Sequence, residues 1–248
     1  VAISECDIMP EEVWGLRSIV LSGNYAYVGA DDLWIIDMSD LTAPAVIGFL
    51  DMSGYVKDIA VVGNYAYVAT ELEGVKVVDV SNPAAPVTVD TGDKPGGFAS
   101  DGTLSRDYAY VALAGSTGYA MGGDERSGLK VLDISNPTTP AEVGFYETPS
   151  NVYDVVVADG LAYVGDDAGL RVMDVSDPTA PVEVGFYETG GAMEIELVGN
   201  TMYIANTNYS LLSILDASDP KAPVPIDAYH TPGNALSVAA TEDGIVYV

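Results

Sequence analysis

Basic residues are scarce in this 248-residue chain: nine Lys and Arg stand against 37 Asp and Glu, a formal net charge of −28. Nucleic-acid binding needs clustered cations to displace phosphate counterions, and anionic membrane surfaces need the same, so neither is an expected partner. Cys6 is the one cysteine, which excludes an internal disulfide. His230 is the one histidine, which excludes a His-rich metal site, a haem attachment motif and an ordinary Ser-His or Cys-His pair. Apolar runs are short and broken by Gly, Asp or Asn, so membrane insertion by this segment is not expected. The first residue is Val1 rather than Met, and neither a basic nor an apolar leader follows, which suggests a processed chain or a segment of a longer one. The acidic excess repels itself unless cations screen it, and it points either to high salt or to ordinary surface acidity, in an extracellular or cell-surface setting.

What the chain does have is a repeat. A strand-like run ending in Tyr-Val or Tyr-Ile recurs with its tyrosine at Tyr27, Tyr67, Tyr110, Tyr163, Tyr203 and Tyr247, a spacing close to forty residues. With 48% apolar residues the chain can build a sizeable core, and an unbroken period argues for one domain over residues 1–248. In the fourth repeat, strands are expected at 151–157, 161–165, 170–175 and 182–187. Asp159-Gly160 supplies a tight turn, and Pro178 and Pro181 break the ladder before the last strand. Four antiparallel strands in forty residues make one propeller blade.

The proline break returns as Asp79-Val80-Ser81-Asn82-Pro83, Asp133-Ile134-Ser135-Asn136-Pro137, Asp174 to Pro178 and Asp216-Ala217-Ser218-Asp219-Pro220, with a degenerate copy at Asp37 to Pro44. Together with runs such as Val75-Lys76-Val77-Val78-Asp79 and Leu129-Lys130-Val131-Leu132-Asp133, this signature resembles the LVIVD repeat family. The resemblance implies a β-propeller, commonly part of secreted or cell-surface proteins of bacteria and archaea, and it implies no catalytic residues. The fold class expected is therefore all-β, a propeller of four-stranded antiparallel blades. Six blades are expected, five complete and one split between the termini and lacking a strand. Seven is the alternative. Residues 1–8 lie in the phase of a fourth strand, and the open blade edge invites a protein partner or self-assembly by strand addition.

Candidate sites follow from departures from the repeat. Residues 112–127 replace a short turn between second and third strands, and the long loop nominates Gly115, Tyr119, Asp124 and Glu125 for ligand binding, unless it is a neutral insertion. Asp31, Asp32, Glu71, Glu73, Asp166 and Asp167 crowd the same face. Nine residues before the repeated tyrosine stand Ser18, Asp58, Asp101, Asp154 and Glu194, with Ser237 near the same phase, at a level near the mouth of a central channel. Asp58, Asp101, Asp154 and Glu194 could hold Ca²⁺, or each could cap neighbouring backbone N–H groups. The tyrosines are expected to pack between blades, Trp14 and Trp34 are candidates for sugar stacking where exposed, although strand phase buries Trp34, and Asn208-Tyr209-Ser210 is a glycosylation triplet. The functional expectation is a non-enzymatic surface module for protein contact, adhesion or assembly. The alternatives are a glycoside hydrolase working with two carboxylates and a Ca²⁺-dependent carbohydrate-binding module, both on the loop-rich face.

Overall fold

A computed structural model describes residues 15–71, 73–90, 98–114, 126–241 and 243–248. Gly115, Tyr119, Asp124, Glu125, Cys6 and Trp14, and the N-terminal residues expected to act as a fourth strand, lie outside the described residues.

Five four-stranded antiparallel meanders and one two-stranded sheet make up the described fold. Blade one comprises β1 (Ser18–Ser22), β2 (Tyr25–Gly29), β3 (Leu33–Asp37) and β4 (Ala45–Leu50). Blade two comprises β5 (Val56–Val62), β6 (Tyr65–Thr70), β7 (Gly74–Asp79) and β8 (Val87–Asp90). Blade three comprises β9 (Phe98–Ser105), β10 (Tyr108–Ala114), β11 (Gly128–Asp133) and β12 (Ala141–Glu147). Blade four comprises β13 (Val152–Ala158), β14 (Leu161–Asp166), β15 (Gly169–Asp174) and β16 (Val182–Glu188). Blade five comprises β17 (Glu194–Val198), β18 (Thr201–Asn206), β19 (Leu211–Asp216) and β20 (Val224–His230). The sixth sheet pairs β21 (Ala239–Ala240) with β22 (Val246–Tyr247), shorter than the sequence pattern suggested.

The first strands touch in succession, β1 to β5 to β9 to β13 to β17 to β21, so each blade begins against the start of the next. The period-two alternation sends apolar residues to both flanks, since each sheet is covered on both sides. Blade four shows this: Ala162, Val164 and Met173 pack against Tyr110, Leu129 and Val131 of blade three, while Tyr163, Leu170 and Val172 pack against Met202, Ile204 and Leu215 of blade five. Tyr27, Tyr67, Tyr110 and Tyr163 are buried in these interblade cores as expected, Tyr203 is partly buried, and Tyr247 is exposed at the sheet with fewest strands.

Two local devices set the blade. At Asp159-Gly160 the hairpin turn needs positive φ twice, 51° and 78°, which Asp and Gly tolerate. After each third strand the aspartate folds back on the turn: Asp37, Asp79, Asp133, Asp174 and Asp216 each accept the backbone N–H of the serine two positions on. The turn then lies against the preceding blade. A Cβ at Gly144 or Gly185 of the fourth strand would collide with the backbone oxygen of Pro178 or Lys221 in the next blade, so glycine permits the close approach there.

Candidate functional site

One polar residue per blade projects at the same height from the first strand, and each is tied to the following blade. Ser18 Oγ donates to Asp58 Oδ1 at 2.9 Å. The backbone N–H of Gly102 donates to Asp58 Oδ2 at 3.3 Å, that of Val155 to Asp101 Oδ2 at 3.0 Å and that of Ile195 to Asp154 Oδ2 at 2.6 Å. The N–H of Val238 donates to Glu194 Oε2 at 3.2 Å. In each of the four backbone contacts the donor directly follows the next blade's residue at the same height, so one rule repeats from blade two onward.

Burial, and then the neighbouring Asp101 charge, push the Asp58 carboxyl up to about 7. Burial raises Asp154 to about 6, against opposing hydrogen bonds from Asp101 and Ile195. Asp101 is raised well above the usual carboxylate range by burial and by Asp154. Asp101 neighbours both Asp58 and Asp154, so the three carboxyls do not titrate independently. Among the described residues no three carboxylate, imidazole or thiol side chains gather as a metal-holding group. The four acids considered for Ca²⁺ are strung from blade to blade, each with an oxygen on a backbone N–H.

The acids of the loop-rich face have separate local roles. Asp32 Oδ1 accepts the Met52 N–H at 2.9 Å, whereas Asp31 Oδ1 is buried without a partner among the described residues. Glu71 pairs with Lys57 at 3.4 Å and Glu73 with Lys76 at 2.5 Å. Asp166 is fully buried, accepts the N–H groups of Ala168 and Gly169, and pairs with Arg171 Nε at 2.6 Å. Asp167 accepts from the Tyr153 hydroxyl and the Asn151 N–H. Trp34 is half-buried against the Phe49 ring, at 4.6 Å between centroids, rather than open for stacking. Asn208 is exposed in the turn before β19, and its Nδ2, the atom a glycan would occupy, donates to the Gly190 carbonyl.

The open surface lies at blade five. All seven residues of β20 are exposed, with Val224, Ile226 and Tyr229 at 57%, 59% and 65%. Beside them a cavity of about 600 Å³ is bordered by Leu212, Ile214, Tyr229, Pro232, Val246 and Val248. A second cavity, about 380 Å³, opens on the other flank of the same blade, between Tyr187 and Thr189 of blade four and Ser213 and Ala228 of blade five. Neither was singled out in the sequence. Its one available signal was a serine at position 213, where the equivalent third-strand residues are Trp34, Lys76, Lys130 and Arg171.

A family model described as LVIVD repeat matches residues 16–51, 53–92, 96–148, 149–189 and 190–231. No curated protein sequence matches the chain. Among solved structures, a putative 6-phosphogluconolactonase from Bacteroides fragilis superposes with a TM-score of 0.73 at 11% identity, over 96% of this chain and 77% of that one. A periplasmic gluconolactonase from Pseudomonas aeruginosa gives 0.71 at 14% identity, over 88% and 70%. The computationally designed Ika8 protein gives 0.70 at 13% identity, over 93% and 69%. At such identities the likeness shows the fold alone.

One expectation is corrected by these comparisons. The chain was read as non-enzymatic because it lacks a nucleophile–base pair, yet two solved structures of this fold are described as lactonases. A propeller scaffold without a Ser-His or Cys-His pair is thus no ground for calling the chain non-catalytic, because catalytic groups are placed by loops that the repeat signature does not encode.

Proposed function

The chain belongs to the LVIVD repeat family, and from that premise we propose that it is an extracellular or cell-surface scaffold that joins to protein partners, second copies included, through the open flank of blade five. The observation that carries this reading is the exposure of β20 along its whole length beside the 600 Å³ cavity. Corresponding strands of earlier blades, β12 and β16, keep several residues partly covered by the blade that follows. Val224, Ile226 and Tyr229 are exposed apolar side chains, and Tyr229 borders that cavity with Val246 and Val248, a composition of the kind that marks interaction sites. The formal charge of −28 favours a neutral or basic partner and makes contact between two copies depend on screening salt.

Sedimentation of the full chain tests the reading, with a second copy as the probe. Concentration-dependent association that Ile226→Asp and Tyr229→Asp abolish is the expected result. A parent that stays monomeric up to about 100 µM, or a variant that assembles as the parent does, overturns the flank as a self-contact.

A second reading, hydrolysis of a lactone, is favoured by Asp58 and Asp154 lying at about 7 and about 6, where a carboxyl can give and take a proton near neutrality. Turnover of a sugar lactone by the parent, lost in Asp58→Asn and Asp154→Asn variants that still fold, would carry it. No turnover above buffer would remove it.

A further inference from the structure

The second residue of each third-strand pattern points into the groove that its blade shares with the preceding one. In blades two to four that residue is a buried cation. Lys76 Nζ lies 2.7 Å from the Met52 carbonyl oxygen of blade one and 2.5 Å from Glu73. Lys130 Nζ lies 2.6 Å from Glu142. Arg171 pairs with Asp166 at 2.6 Å and Glu183 at 2.8 Å, with its guanidinium 4.8 Å above the Phe186 ring. Blade one fills the place with Trp34 against Phe49.

Blade five breaks the series. Its residue is Ser213, and the cross-strand partner is Ala228, where Trp34, Lys130 and Arg171 face Phe49, Phe145 and Phe186. The counterpart of the Glu183 position is Pro225. The third-strand cation, its cross-strand ring and the carboxylate of the Glu183 position are thus all replaced in blade five, and the 380 Å³ cavity stands there.

The walls are held without a filler. Asn206 Nδ2 donates to the Thr189 carbonyl and Asn208 Nδ2 to the Gly190 carbonyl, which pins the blade-four loop to blade five. The Tyr209 ring rests on Gly190, where φ is +75° and a Cβ would strike the ring. Tyr187 supplies a second aromatic wall, and Glu188 and Asp227 supply carboxylates. Thr189 is only 8% exposed, and its Oγ1 has no hydrogen-bond partner among the described residues.

We propose that the groove between blades four and five receives a guanidinium or ammonium group, carried on an arginine or lysine side chain of a partner protein. The fold itself shows the chemistry that suits the slot, because three other blades place a cation of their own there. The two tyrosine faces attract a cation, and Glu188 and Asp227 neutralise it. Arginine fits best, since its planar fork both stacks and donates several bonds. The groove lies on the opposite side of blade five from the open flank, so the loss of assembly in Ile226→Asp leaves this inference untouched.

The test is calorimetric titration of the full chain with the capped tripeptide acetyl-Gly-Arg-Gly-amide, beside the neutral citrulline analogue and free arginine. Binding is expected for the arginine peptide, weaker by about tenfold or more for the citrulline peptide. The double variant Ser213→Arg with Ala228→Phe rebuilds the filled slot of blade four and is expected to abolish binding without lowering the Tm. Should that variant fail to fold, Glu188→Gln with Asp227→Asn is expected to weaken binding by about fivefold or more while the circular dichroism spectrum is kept. The proposal is overturned by no binding of the arginine peptide at about 10 mM, by equal binding of the citrulline peptide, or by a filled variant that binds like the parent. Free arginine binding about tenfold tighter than the capped peptide would overturn the protein partner in favour of a small-molecule cation.

Discussion

The Asp154 carboxylate of blade four accepts the Ile195 N–H of blade five at 2.6 Å, forty-one residues further along the chain. Because the same contact is made from Asp58, Asp101 and Glu194, the acids act as fasteners between blades as well as titratable groups. Asp154→Ala leaves the Ile195 N–H without its acceptor and is expected to cost about 1–3 kcal/mol. At this chain length that is a Tm loss of about 2–4 °C for each kcal/mol. Asp154→Asn keeps an acceptor oxygen and should lose less, as thermal melts of the two variants will show.

Proton uptake follows from the same carboxyls. Asp58 and Asp154 sit at about 7 and about 6 in the folded chain, above the unfolded value of about 3.9. The native state therefore binds more protons in that interval. The stability these groups contribute is full below about pH 4 and is lost as pH rises through 6 and 7. A higher Tm at pH 5 than at pH 8 is expected, with the difference reduced in Asp58→Asn plus Asp154→Asn. A Tm that climbs from pH 5 to pH 8, and does so less in the double variant, contradicts it.

The turn aspartates act with the opposite sign. Asp37, Asp79, Asp133, Asp174 and Asp216 are held below the ordinary carboxylate range by the serine two positions on. Their contribution is present above the unfolded pKa and is lost as pH falls through the lower folded one. Melts taken from pH 5 down to pH 2 should therefore fall, and Ser176→Ala should lessen that fall by removing the hydroxyl that also bonds Asp174.

Arg171 neutralises the fully buried Asp166. Removing one partner of a buried pair leaves an uncompensated charge, so Arg171→Ala is expected to cost about 3–5 kcal/mol. Adding Asp166→Asn should restore part of that loss. A double-mutant cycle by urea unfolding measures the coupling, and additive losses would show that the pair does not matter to stability.

Blade spacing depends on glycine where a fourth strand meets the next turn. Gly144→Ala drives a Cβ into the Pro178 carbonyl and is expected to cost about 1–3 kcal/mol or more as the blades shift apart. Gly233→Ala, with nothing near its added carbon, should leave the urea midpoint unchanged.

The strands of blade four were legible to within a residue, because each strand, turn and proline break is written in adjacent residues: 161–165 was expected and Leu161–Asp166 is observed. The height shared by Asp58, Asp101 and Asp154 was legible too, since it follows from the repeat's phase. Their bonding was not settled by phase, because Ca²⁺ and backbone N–H groups both suit a carboxylate there. The cation slot escaped notice for another reason. Its emptiness depends on Ser213, Ala228 and Pro225 together, and only strand register brings those three side by side.

Periodicity alone decided the four-stranded repeat, the interblade tyrosines and the family, since a strand's alternation and its turn residues are local properties of the chain. The tertiary structure decided what each blade faces. It set acids against backbone N–H groups, enclosed three cations, and left one slot unfilled and one flank bare. Those outcomes depend on burial and distance between residues some forty positions apart, which no local pattern specifies.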